Sequence, residues 1–160
     1  MRNQCPVCHM TVEPDHLPLV YQDMHFAFCS EQCRERFAAK PHLYIGVPTQ
    51  QAPRQQGTQI VKRRSFGLEE PLSTEQARRL SDAVGAMMGI RQVRIEGREI
   101  HISYDLLEAT AEQIERTLVE AGAHLGGGWK ERLQRALVHY TEEWETASLE
   151  VSPNRHSHHH

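Results

Sequence analysis

The groups in this chain best suited to chemistry are its four thiols. All of them lie in the first 33 residues, spaced Cys5-x2-Cys8-x20-Cys29-x3-Cys33. A C-x2-C pair makes a tight knuckle that turns both sulfurs toward one ion. The second pair is placed differently. Ser30 is a good helix N-cap and EQCRERFAAK (31–40) a good helix sequence, so Cys29 falls just before a helix and Cys33 in its first turn. A helix N-terminus lowers thiol pKa and favours the thiolate. Four thiolates in tetrahedral reach suit Zn²⁺ best, so Cys5, Cys8, Cys29 and Cys33 are the expected ligands of a closed structural site. His9, Met10, Met24 and His25 lie beside them in sequence and would make a soft secondary site for Cu⁺. The preferred expectation is plainer: Met10 and Met24 pack a small core and both imidazoles are exposed.

The elements that must carry these residues follow from pattern. LVYQDMHFAF (19–28) alternates about a central QDM and reads as a β-hairpin. Knuckle, hairpin and helix together are the layout of a treble-clef-like zinc module over residues 1–46. A segment of about 45 residues buries little core, and a metal cross-link is what that size requires. VPTQQAPRQQGT (47–58), rich in Gln and Pro, reads as a linker. Residues 59–128 carry no cysteine and show a strand (58–66), a Ser/Thr-capped helix (73–89), two alternating runs joined at Glu96-Gly97-Arg98, and a second helix capped by Thr110. The order β-α-β-β-α is that of a ferredoxin-like fold, so the expected class is α+β. A fourth strand is poorly supported at 123–128, which is short and Gly-rich.

The first segment resembles the YHS family, within the wider TRASH group of metal-binding modules, on Pro6-Val7-Cys8-His9-Met10, Tyr21, Phe26-Ala27-Phe28-Cys29-Ser30-Glu31-Gln32-Cys33, Phe37, Pro41 and Tyr44. The family often has Asp at the place of Cys5 and Gly at that of His9. Cys5 supplies a fourth sulfur and so completes a Cys₄ set. A related segment in some copper chaperones carries zinc or an iron–sulfur cluster, so the resemblance implies either.

The later segment resembles heavy-metal-associated domains, the fold of small copper chaperones and of cytoplasmic domains of copper-pumping ATPases. Gly89-Ile90-Arg91-Gln92-Val93-Arg94-Ile95 matches that family's G-V-x-x-V-x-V, and Ile100-His101-Ile102-Ser103-Tyr104-Asp105 its V-x-V-x-Y-D; Ile114 and Glu120-Ala121-Gly122 match the second helix and its end. The family's thiol loop is replaced by Phe66-Gly67-Leu68-Glu69-Glu70-Pro71-Leu72-Ser73. Without a thiol this loop cannot hold Cu⁺ in the family's way, and the resemblance implies a domain kept for docking or dimerisation. His101 and His124 read as surface residues, since one imidazole rarely makes a site.

Residues 129–150 form an amphipathic helix with Trp129, Leu133, Ala136, Leu137, Tyr140 and Trp144 on one stripe. The expectation is that this stripe covers the domain's own sheet where the fourth strand would lie; a partner or dimer interface is the alternative. The tail (151–160) carries His156, His158, His159 and His160, a loose set of metal donors.

Charge excludes rather than selects. The net charge is −3, and the locally basic stretch of Arg54, Lys62, Arg63 and Arg64 is weak support for nucleic acid, so none is expected. No run approaches the roughly 20 apolar residues that span a bilayer, and the N-terminus lacks a signal-like apolar run, so membrane insertion is not expected and a cytoplasmic location is. No catalytic constellation appears and a four-thiolate site leaves no open position for water, so the chain is not expected to be an enzyme. The expected role is heavy-metal (copper/zinc) homeostasis. The partners are a metal ion and a metal-transporting ATPase or another protein, with a homodimer as a further candidate. The alternatives are an adaptor with a purely structural Zn²⁺, or a redox or chaperone module in which the same cysteines hold Cu⁺ or a [2Fe–2S] cluster.

Overall fold

A computed structural model describes residues 3–152 of the chain. The histidine tail expected to donate to metal lies outside the described residues. The chain divides into two compact units, residues 3–59 with 145–152, and residues 60–144.

The first unit is built from short pieces. β1 (Asn3–Gln4) pairs with β2 (Thr11–Val12), and β3 (Leu19–Tyr21) with β4 (Met24–Phe26), both antiparallel. Gln22 and Asp23 join the second pair with φ of 50° and 63°, the backbone of a two-residue hairpin turn whose twist matches its strands. α1 (Glu31–Ala39) starts at Ser30, whose hydroxyl accepts from the Cys33 N–H. The core is aromatic. The Phe37 ring lies 4.7 Å from Phe26, 5.3 Å from Phe28 and 6.1 Å from both Tyr21 and Tyr44.

Met10 and Met24, expected in that core, are exposed, and so are His9 and His25. The rings are joined in the buried interior by Val7 and Leu43 instead. Residues 47–58, expected as a linker, pack within the unit. Ala52 is buried, the Arg54 N–H donates to the Leu43 carbonyl (2.9 Å), and Arg54 Nε donates to the Val7 carbonyl (2.7 Å). Gly46 makes this fold-back possible, since a Cβ there would sit against the Gln50 carbonyl oxygen. Polar composition without periodicity looks the same in a packed loop as in a linker, because the contacts are made by backbone and by one Arg. From the C-terminal side, Val151 N–H donates to the His42 carbonyl and the Glu150 carboxylate accepts the His42 N–H.

The second unit holds β5 (Val61–Gly67), α2 (Thr74–Gly85), β6 (Ile90–Glu96), β7 (Glu99–Asp105) and α3 (Ala111–Glu120). The sheet is antiparallel in the order β5-β7-β6. Ser73 and Thr110 each complete a capping box, with Gln76 and Gln113, so both helix starts are satisfied locally. Leu80 and Val84 of α2 and Ile114 and Leu118 of α3 cover the inward row Ile100, Ile102 and Tyr104 of β7. Asp105, buried at the end of β7, accepts the N–H groups of Ile60 (3.1 Å) and Leu107 (3.0 Å). In place of a fourth strand there is one bridge between Leu68 and Leu125.

α4 (Trp129–Leu149) contributes residues up to Trp144 to this unit and the rest to the first. The expectation that its apolar stripe covers the sheet is overturned. Trp129, Leu133, Leu137, Tyr140 and Trp144 are between 60% and 68% exposed. The opposite, polar face is turned inward. The buried Glu142 carboxylate accepts from the Tyr104 hydroxyl and from the Ala111 N–H (2.8 Å), with Arg64 Nε at 3.7 Å. Burial, then the neighbouring Glu142 charge, hold the Tyr104 phenol well above its ordinary pKa, which makes it the donor. One turn earlier His139 and Arg135 both reach Glu115 of α3, and Val138 packs on the core. Specific ionic and hydrogen-bonded partners fix this helix rather than apolar burial.

Candidate metal centre

Each cysteine arrives by a local device. Cys5 and Cys8 sit on the knuckle between β1 and β2, closed by Cys5 N–H to the Met10 carbonyl and His9 N–H to the Cys5 carbonyl, both 2.8 Å. The turn requires φ of 67° at His9, the left-handed region where Gly is relaxed and other residues are strained. Cys29 leaves β4 through Phe28, whose N–H donates to the His16 carbonyl and whose carbonyl lies 2.5 Å from His16 Nδ1. Cys33 is the third residue of α1, where the cap fixes its backbone.

These devices converge. The four Sγ atoms all lie within 4.8 Å of one another, with Cys8 to Cys29 at 3.2 Å and Cys29 to Cys33 at 3.5 Å. All four thiols are free. Cys5 and Cys33 are fully buried, whereas Cys8 and Cys29 are half-buried, so the cluster has an inner pair and an outer pair. Among the described residues this is the one group of His, Cys, Asp and Glu side chains placed to share an ion. His9 and His25 do not join it, and the methionines beside them point to solvent.

The protons of the cluster are shared unequally. Hydrogen bonds from Cys33 and then Cys8 hold the Cys5 thiol far below the usual range. Its bond to Cys5, then Cys8 and burial, drive the Cys33 thiol far above it. Cys8 is pushed up to about 12, where the pull of its bond to Cys33 is outweighed by Cys5 and burial. One thiolate thus suppresses ionisation of its neighbours, and a bound cation is what lets several sulfurs be ionised at such short range. The donor set fits a soft or borderline cation: four sulfurs, no water-exposed carboxylate, spacing within one coordination sphere. Arg36, one turn beyond Cys33, adds a buried guanidinium whose Nε and Nη2 have no hydrogen-bond partner. Spacing alone did not single out Arg36; its sign was an interruption in an otherwise apolar helix face beside Phe37.

The His42 ring is also fixed by its neighbours. Nδ1 lies 3.2 Å from the Ile45 carbonyl, which can only accept, so Nδ1 carries the proton and Nε2 accepts from the Tyr21 hydroxyl at 2.9 Å. In the second unit Glu69 and Glu70 are exposed and His101 contacts Ser65 at 2.7 Å on the open sheet face.

No protein-family model matches the chain, and no curated protein does. Two solved structures match part of it. Apo-CopP from Helicobacter pylori is 16% identical, covering 41% of this chain and 100% of its own, with a TM-score of 0.38. CsoZ metallochaperone is 20% identical, covering 42% of this chain and 99% of its own, with a TM-score of 0.39. At that distance function has to be argued from this chain's own residues.

Proposed function

We propose that this protein binds one thiophilic metal ion through Cys5, Cys8, Cys29 and Cys33 and works in heavy-metal homeostasis. The observation that carries the reading is the convergence of four free sulfurs within 4.8 Å from three separate local structures. Zn²⁺ is the favoured ion, because a full set of four thiolates matches its tetrahedral preference. The bound ion would supply the cross-link that two small hairpins and one helix lack. The unit is the YHS/TRASH-type module that its sequence resembles. The second unit, cysteine-free where heavy-metal-associated domains carry thiols, serves as a docking body toward a transporter or another protein of the cytoplasm. No helix among the described residues is long and apolar enough to cross a membrane.

A second reading has its own support. The half-exposed pair Cys8 and Cys29 gives an incoming thiol one open side, which favours an exchangeable Cu⁺ over a sealed structural zinc. Metal content per chain, with an absorption spectrum, on anaerobically purified protein separates the readings. One colourless zinc that resists chelators is expected. Zinc readily displaced by Cu⁺ shifts the role to trafficking, and a brown protein with an iron–sulfur spectrum replaces both.

A further inference from the structure

We propose that the outward stripe of α4 is a self-association surface, packing antiparallel against the same stripe of a second copy of this chain. The stripe is unusual for its position. An amphipathic helix normally turns its apolar face to its own core, yet here Glu142, His139 and Arg135 face inward and five large apolar side chains face out.

The spacing identifies the kind of surface. Leu133, Leu137, Tyr140 and Trp144 follow one another at intervals of four, three and four, the seam of a two-helix coiled coil. Ala136, Gln134 and Thr141 flank the seam and are small or uncharged, so two copies approach without like charges in contact. Charge then fixes direction. Lys130 and Arg132 lie at the start of the stripe and Glu143 near its end, and by helical position Arg132 and Glu143 share one flank. A parallel copy would set the flank of Arg132 and Glu143 against the uncharged flank of Gln134 and Thr141, with no charge pairing. An antiparallel copy sets Leu133 across from Trp144, Leu137 across from Tyr140, and Arg132 beside Glu143, twice, by the two-fold symmetry of such an interface.

The area is sufficient. Three aromatics and two leucines, each about two-thirds exposed, put roughly 1,000 Å² in total out of reach of water in a dimer, about the threshold of a specific interface. That size belongs with transient interfaces rather than obligate ones. The proposal does not depend on the cysteine cluster, and metal content measured on the same samples is expected to stay constant.

Sedimentation velocity on the full chain, up to ~100 µM, tests it against the mass-action shift a dimer must show. The wild-type protein is expected to move from monomer to dimer. Leu137→Asp with Tyr140→Asp is expected to stay monomeric with an unchanged thermal melt, because neither side chain packs in the core. Arg132→Glu is expected to weaken association about tenfold, since each dimer holds two such pairs. Adding Glu143→Arg is expected to restore it. A wild-type chain still monomeric at the highest concentration overturns the proposal and leaves the stripe to a different protein. A dimer that survives the double Asp change, or charge reversal without rescue, overturns it as well.

Discussion

The two units of this chain solve the same problem with opposite means. The second has three seven-residue strands, two capped helices and an aliphatic core in which Ile100, Ile102, Ile114 and Leu118 are fully buried. Its fold is complete without any group that does chemistry. The first has strands of two or three residues, an aromatic cluster about Phe37 and four converging sulfurs. Here the groups that do chemistry are also a large part of what encloses the interior, since Cys5 and Cys33 are as buried as Phe28. The difference explains why the second unit holds its shape without thiols. In the loop 67–73 the structural work is done by the buried Leu68 side chain and by backbone: Leu68 N–H to the Arg98 carbonyl and Glu69 N–H to the His124 carbonyl, both 2.8 Å. Nothing in that loop requires sulfur.

The contrast can be broken most strongly at Cys33. Cys33→Ser is expected to abolish stoichiometric metal and melt the first unit, while amide signals of residues 60–144 persist. Structural zinc is worth roughly 10–16 kcal/mol to small domains, so a strong chelator should reproduce the effect on wild-type protein, more readily at lower pH where protons compete for the thiolates. A metal-loaded, folded Cys33→Ser protein would show that the two units do not differ in this way. The converse substitution is Leu118→Ala, expected to cost about 3 kcal/mol in the second unit and to leave metal content unchanged in a titration with a chromophoric chelator.

Glu142 sharpens the comparison within the second unit itself. Glu142→Ala strands the Ala111 N–H and the Tyr104 hydroxyl and leaves Arg64 without its counter-charge, a loss of about 2–3 kcal/mol by chemical denaturation. Leu137→Ala, on the outward stripe of the same helix, is expected to move monomer stability by less than about 0.5 kcal/mol. If the two costs are reversed, the inward face has been assigned wrongly. The smallest expected effect is at the knuckle. His9→Gly relaxes the left-handed residue and should raise the melting temperature of the metal-loaded first unit, by up to about 1 kcal/mol in stability.

Much of this was legible before the structure. Caps and periodicity placed α1, α2 and α3 at Ser30, Ser73 and Thr110, because those signals are local and the tertiary contacts agree with them. Spacing brought the cysteines to one point for the same reason. The β1–β2 hairpin was not legible, because two-residue strands carry no period. The loop 47–58 reads as a linker by composition, because its packing rests on Arg54 and on backbone carbonyls, which composition does not display. The periodicity of α4 identifies the residues of its stripe but not the direction in which the stripe faces. Hydrophobic pattern says which side chains share a face, but the direction was set by Glu142, a buried charge whose partners Tyr104 and Arg64 are far away in sequence.

The orientation of α4 also has an optical consequence. Trp129 and Trp144 are the chain's two tryptophans, and both stand about two-thirds in water on the native surface. The native monomer should therefore emit at the wavelength of hydrated indole. Melting either interior would change that emission little, so a fluorescence melt would underreport unfolding while circular dichroism followed it. Anything that settles on the helix would do the opposite, shifting the emission to the blue with no change in secondary structure.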